Sequence, residues 1–301
     1  MNVLPINRAR STESNPASAD HQYMNAAPFE NNRDSRYYYP SSTHDEALSR
    51  LSYLAEDGNF TFGVLSGYCG SGKTYIRTLF HSRLDKDRYI SVVIENSLLD
   101  LDGLLLEIIS QMRGRRCAVS EFPDRYSRIA EFKKCLQEDV AGYGRHLVMT
   151  FDEAHLLDTN TLEGIRSLTN INSPLQNLIT VLLVGQAELE GKLTALPALD
   201  QRIGLRIRLS KLDLATSISY IKHRLNIAGI SGRLSLSAGT YEALYKSTEG
   251  IPRKINNLLK LTIEFARINN TDIDDAALAT VIRDQSRVSQ IERDIHQGLL
   301  P

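Results

Sequence analysis

Hydrophobic positions along this chain follow two rhythms. Short, nearly unbroken apolar runs fall at 59–66, 89–95, 146–151, 178–184 and 205–209. Runs of that length between polar boundaries predict buried strands. Between them, apolar residues recur every three or four positions. They predict helices over 44–54, 75–84, 98–113, 126–141, 158–170 and 188–196. Residues 114–125, with Gly114, Pro123 and Asp124, read as a loop. Five strands alternating with helices predict an α/β fold, a five-stranded parallel sheet covered on both faces. After Leu212 the rhythm is helical only, over 213–228, 237–247, 252–269 and 274–290. Ser237 and Asp274 suit N-caps there, and Gly250-Ile251-Pro252 breaks the run.

The expected organisation is therefore a tail over 1–35, an αβα domain over 36–212 and a helical domain over 213–301. The tail is rich in Asn, Ser, Ala, Pro and Arg without apolar periodicity. Such a segment cannot bury enough surface to offset its ordering entropy, so it is expected to be disordered. It reads as a solvated leader or as a docking arm for a partner.

Composition narrows this picture modestly. The 301 residues are 42% hydrophobic and 24% charged, with a formal net charge of -1. That balance excludes a polybasic protein. It leaves the loop of Arg113, Arg115 and Arg116 as a local phosphate-backbone contact or a solvated turn. Cys69, Cys117 and Cys135 form neither a C-x-x-C pair nor a zinc-ligand pattern. A reducing compartment follows. No cationic-then-apolar leader is visible, and no apolar run approaches the ~20 residues that span a bilayer. The expected location is cytoplasmic, without membrane insertion.

The chemistry concentrates in Gly67-Tyr68-Cys69-Gly70-Ser71-Gly72-Lys73-Thr74, followed by Tyr75. This matches G-x-x-x-x-G-K-[ST] between a predicted strand and a predicted helix. Glycines let the backbone wrap phosphate oxygens with its N–H groups, and the helix N-terminus adds its positive dipole end. Lys73 supplies charge to the β- and γ-phosphates, and Thr74 a hydroxyl to Mg²⁺. ATP and Mg²⁺ are the implied ligands. The run 146–151 ends in Asp152-Glu153. Alone this is an acidic strand end. In the same sheet as the phosphate loop, Asp152 suits the Mg²⁺ shell and Glu153 the activation of water. The string Asp152-Glu153-Ala154-His155 also occurs in some helicases, but no second helicase-type domain follows. Three more residues are candidates by position: Gln186 at the end of the fourth strand, Arg202 before the fifth, and Arg253 opening a C-terminal helix. From spacing alone Arg202 and Arg253 read first as surface salt-bridge residues and otherwise as arginines that stabilise phosphoryl charge, while Gln186 reads as a polar strand end or a group that orients water. Cys69, inside the phosphate loop, is an oxidation site or a tolerated variable position.

Taken in order, these residues resemble the AAA+ ATPases of the ExeA/GspA-like group. That group comprises ATPase domains of secretion-accessory proteins and stand-alone ATPases encoded with transposases. The resemblance runs from about Tyr37 to Ile282. It rests on Tyr39-Pro40-Ser41 with His44-x-Glu46-Ala47-Leu48, the phosphate loop, and Phe151-Asp152-Glu153-Ala154. It continues in Leu183-Val184-Gly185-Gln186-x-Glu188-Leu189, Gln201-Arg202-Ile203, Tyr220-Ile221-x-His223-Arg224-Leu225 and Gly250-Ile251-Pro252-Arg253-x-Ile255-Asn256. The resemblance implies a helical lid after the sheet domain and places Tyr39 and His44 near the adenine. It implies that Gln186 senses the γ-phosphate, that Arg253 is the lid arginine, and that Arg202 is a finger acting in trans within a homo-oligomeric ring or filament. Position 155 is His where the group often has Gln. Secretion-type members continue into a membrane span, whereas this sequence stops at Pro301. The expected role is accordingly a double-stranded-DNA-bound regulator that recruits or activates a transposase. A secretion-accessory ATPase and a slowly hydrolysing binding switch are the alternatives.

Overall fold

The computed structural model describes residues 28–31, 35–95, 97–171, 177–230, 234 and 236–296. Five parallel strands form one sheet in the order β2-β3-β4-β1-β5. They are β1 (Phe62–Gly67), β2 (Tyr89–Ile94), β3 (His146–Phe151), β4 (Ile179–Gly185) and β5 (Ile203–Leu209). Every strand enters from the same edge, so the carboxyl ends of β1, β3 and β4 lie side by side. In open α/β sheets that edge is where ligands bind.

Alternate strand residues feed two cores. One face carries Phe62, Val64, Val92, Ile94, Met149, Phe151, Val181 and Leu183. These pack on α3 (Leu101–Met112), α4 (Arg125–Cys135), α5 (Thr159–Leu168) and α6 (Glu188–Thr194), through residues such as Leu105, Phe132, Leu162 and Leu189. The other face carries Leu65, Val148, Leu182, Val184 and Ile207, under Leu48, Leu51 and Leu54 of α1 (Ser42–Asp57) and Ile76 and Phe80 of α2 (Lys73–Arg83). Both faces are covered, which is why the strands read as continuous apolar runs rather than alternating ones.

Helix starts are written in side chains. Ser41, Asp100, Asp124, Asp158 and Asp213 each accept a backbone N–H at the start of α1, α3, α4, α5 and α8 (Leu214–Ile227). Each such cap stabilises its helix by about 1 kcal/mol. A short α7 (Pro197–Asp200), absent from the periodicity, leads into β5. The helix expected over 126–141 is α-helical only to Cys135, then widens into a π turn over Leu136–Val140.

Beyond β5 follow α8, α9 (Ala238–Thr248), α10 (Pro252–Asn269) and α11 (Asp275–His296). They share their own core of Leu212, Ile221, Leu225, Leu244, Ile255, Leu259 and Leu278. The Leu212 N–H donates to Gly250 O at 2.9 Å and ties this region to the end of the sheet. Gly250 has φ +70°, and a Cβ there would run into the Leu212 backbone. Most of the expected disordered tail lies outside the described residues. Residues 28–31 do not behave as a solvated tail: Phe29 is 2% exposed and inserted in the helical core. One aromatic ring supplies the burial that the segment's composition concealed.

Candidate active site

The phosphate loop joins β1 to α2. Gly70 and Gly72 have φ +80° and +100°, left-handed conformations that L side chains rarely adopt. Space forbids side chains as well. A Cβ at Gly70 would lie 2.6 Å from Arg253 Cβ, and one at Gly72 3.1 Å from His44 Nε2. Unlike the capped helices above, α2 begins at Gly72 with no side-chain cap. A helix start without a side-chain cap presents its first-turn backbone N–H groups as a site for anionic oxygens. Lys73 is buried, its ammonium donating to Gly67 O and Tyr68 O at 2.9 Å each. Burial lowers its pKa, opposed by the charges of Glu153, Cys69 and Asp152. The Ser71 hydroxyl is buried without a hydrogen-bond partner among the described residues. A buried orphan hydroxyl, a buried ammonium and an uncapped helix start fit a polyphosphate.

His44 locks this loop to α1. Its Nε2 lies 3.0 Å from Ser71 O and its Nδ1 2.6 Å from Ser41 Oγ. The carbonyl can only accept, so Nε2 carries the proton and Nδ1 accepts from the serine. Burial lowers the His44 pKa and keeps the ring neutral.

The acidic pair stands across from the loop. Thr74 Oγ1 donates to Asp152 Oδ2 at 3.3 Å. Arg77, 2% exposed, places NH1 3.3 Å from the same oxygen and NH2 2.7 Å from Glu95 Oε1. Glu153 follows in a left-handed conformation, φ 50°, with its N–H donating to Asp152 Oδ1 at 3.0 Å. A non-glycine there costs on the order of 1 kcal/mol, a form of strain that clusters at functional sites. His155 Nδ1 sits 3.4 Å from Glu153 Oε2, and its Nε2 3.2 Å from Gln186 Nε2. The strand order explains this meeting: β4, ending at Gly185 just before Gln186, lies between β3 and β1.

One cavity of about 340 Å³ opens beside these groups, with Asp152 just behind its lining. Lys73, Thr74, Glu153, Gln186, Tyr39, His44 and Arg253 all line it, as do Cys69 to Gly72 and Tyr75. Arg253 reaches the loop directly: its N–H donates to Gly70 O at 3.3 Å, and NH1 lies 3.6 Å from Cys69 Sγ. Tyr68, half exposed, lies under the Lys211 ammonium, 4.6 Å from its ring centroid. Arg202 is elsewhere. Its NH1 donates to Asn170 Oδ1 at 2.6 Å and Thr169 Oγ1 at 3.4 Å, and it does not line the cavity.

Sequence reasoning passed over part of the wall. Tyr37 and Tyr38 line the cavity, Tyr38 stacking on Tyr75 with centroids 5.7 Å apart. Burial and a hydrogen bond to Asp45 push the Tyr38 phenol pKa up. Asn31, Tyr220, Arg224 and Asn256 complete the far side. Tyr220, Arg224 and Asn256 belong to the segments that carry the family resemblance, which implied no role for them. In the basic loop, Arg113 pairs with Glu131, and Arg115 with Glu121 at 2.6 Å.

Known proteins agree with this geometry. Residues 57–193 match the model of the AAA domain family. General secretion pathway protein A of Aeromonas hydrophila is 31% identical over 242 residues, 77% of this chain and 42% of the relative. The chain thus spans less than half the length of that relative. Among solved structures, the Aeropyrum pernix ORC2 protein superposes with a TM-score of 0.63 at 15% identity, covering 85% of this chain and 71% of that one. The Thermotoga maritima RuvB Holliday junction branch migration motor gives 0.51 at 17%, covering 79% and 68%. At such identities the two structures speak to the fold alone. With its phosphate loop, its acidic pair and its five-stranded sheet, the chain has the AAA+ P-loop NTPase fold, with an AAA domain matched over residues 57–193.

Proposed function

We propose that this ATPase works as a homo-oligomer in which each subunit's Arg202 completes its neighbour's site. The observation that carries this reading is a separation. Lys73, Glu153, Gln186 and Arg253 share one cavity, while Arg202 lies outside its lining, bound to Asn170. Each residue then has a task. Gly70 to Thr74 bind the phosphates, with Lys73 turning from the Gly67 and Tyr68 carbonyls to the β- and γ-oxygens. Thr74 and Asp152 would hold Mg²⁺, whose hard oxygen ligands they match and which neutralises phosphate charge when bound. Glu153 takes the proton of the attacking water, Gln186 orients that water, and Arg253 and the neighbour's Arg202 offset charge on the transferring phosphoryl group. The helical region beyond Leu212 acts as a lid domain, swinging at Leu212 and Gly250 as Arg253 engages.

Mixing subunits tests this assignment. Arg202→Ala and Glu153→Gln proteins, each inactive, should regain turnover when co-assembled, because some interfaces pair an intact Arg202 with an intact Glu153. No recovery in mixtures shown to co-assemble refutes the trans role.

For the process driven, we favour assembly of a protein machine in the cytoplasm, the secretion-accessory reading. The Aeromonas relative named for secretion supports it. The transposition reading needs a cationic face for DNA and a transposase as partner. In the basic loop Arg113 and Arg115 are both ion-paired, which weakens that face. Among the described residues no helix is long and apolar enough to cross a membrane. ATP turnover with and without double-stranded DNA, at low and moderate salt, separates the two. Turnover indifferent to DNA supports the assembly reading. Stimulation that fades as salt rises replaces it with the transposition role.

A further inference from the structure

Arg224 organises a piece of the nucleotide cavity away from the phosphate loop and the acidic pair. Arg224 is 5% exposed and lines the cavity. Its Nε donates to Pro28 O, its NH2 to Glu30 O at 2.9 Å and its NH1 to Tyr220 Oη at 2.8 Å. The same group lies over the Tyr37 ring, 4.8 Å from the centroid. One buried side chain thus touches both described parts of the N-terminal segment and the helix α8 that carries it.

The hydrogen bonds continue in one direction. Arginine can only donate, so Tyr220 accepts from it and passes its own proton to Asn256 Oδ1 at 2.8 Å. Asn256 Nδ2 then donates to Asn31 Oδ1 at 2.9 Å, and Asn31 Nδ2 to Asn257 Oδ1 at 2.6 Å. Two further anchors hold the segment: Phe29 inside the helical core, and Glu30 paired with Lys260 at 2.6 Å. Asn31 lines the cavity together with Lys73 and Arg253.

We infer that residues 28–31, docked on α8 and α10 by Phe29 and Arg224, are a wall of the nucleotide site that retains the bound adenine nucleotide. Arg224 is a positioning residue: it acts through the segment it holds. Undocking the segment removes Asn31 from the cavity, frees Tyr37 from the guanidinium, and opens the site to solvent. The chemical groups at the phosphates are untouched. Docking therefore governs affinity and nucleotide release rather than the chemical step, and the N-terminal segment becomes a control point for exchange. The inference rests on the ATPase assignment and is independent of which process is driven.

The test uses the full chain with Phe29→Ala, Phe29→Leu and Arg224→Lys. Steady-state turnover gives KM and kcat, and stopped-flow release of a fluorescent ADP gives the exit rate. Phe29→Ala should raise KM for ATP and speed release about tenfold, equivalent to ~1.4 kcal/mol of affinity. Its kcat should stay within about twofold of wild type, the signature of lost binding without lost chemistry. Phe29→Leu should remain near wild type. Arg224→Lys, which keeps the charge but loses the planar fork, should behave like Phe29→Ala. Unchanged KM and release in a Phe29→Ala protein with native circular dichroism overturns the inference. If that variant fails to fold, Asn31→Ala on the exposed amide decides by the same criteria. A wild-type chain that never hydrolyses ATP removes the ATPase assignment instead, a distinguishable failure.

Discussion

His81 gives the fold a specific acid weakness. It sits on α2 beneath the active-site edge, with Nδ1 2.6 Å from Ser91 Oγ and Nε2 2.7 Å from Thr150 Oγ1. Burial, and then the nearby Arg77 charge, bring its pKa down from 6.5 to about 4. The sign follows from linkage. Below pH 6.5 the unfolded chain binds a proton that the folded chain refuses until about pH 4. Stability is therefore full above pH 6.5 and drains away between there and about pH 4. At ~1.4 kcal/mol per pH decade the whole gap is worth roughly 3 kcal/mol. Part of the ring edge remains wet, which reduces the figure to ~2 kcal/mol. His81→Gln keeps a donor and an acceptor but cannot titrate. At pH 8 it should cost about 1 kcal/mol for imperfect hydrogen bonds. Urea unfolding of both proteins at pH 7.5 and 4.5 checks the reasoning. The wild type should lose ~2 kcal/mol more than the variant between those pH values. His44 and His146, also held neutral by burial, titrate alike in both proteins and cancel in the difference. Equal losses would refute the account.

Two further substitutions probe the site. Gly72→Ala puts a Cβ 3.1 Å from His44 Nε2 at φ +100°, so it should cost ~1–2 kcal/mol of stability and weaken nucleotide binding, measured by thermal unfolding and calorimetry. His155→Ala removes the group between Glu153 and Gln186; kcat should fall on the order of tenfold with KM nearly unchanged, and His155→Gln should restore most of it.

Much of this was legible because the sheet is covered on both faces. The run 146–151 became β3 without a shift, and 59–66 became Phe62–Gly67. The phosphate loop was legible because phosphate binding demands glycine at set positions. Strand order was not, since every buried strand carries the same apolar signal. The wall of the cavity was obscured differently. Phe29 is one of two aromatics in a polar stretch, and periodicity is blind to a single anchor. Arg77 and Arg224 are charged residues on helices, and their burial follows only from the packing of those helices. The pairing of Arg115 with Glu121 belongs to a short 3₁₀ turn over Val119–Glu121, inside what read as a plain loop.

ATP binding and hydrolysis measured side by side on wild type, Lys73→Ala and Glu153→Gln test the central claim most directly. The account predicts turnover in wild type and neither binding nor turnover in Lys73→Ala. Glu153→Gln should bind normally with turnover reduced about 10²–10⁴-fold, the share of a general base. Wild-type turnover by either variant would contradict it.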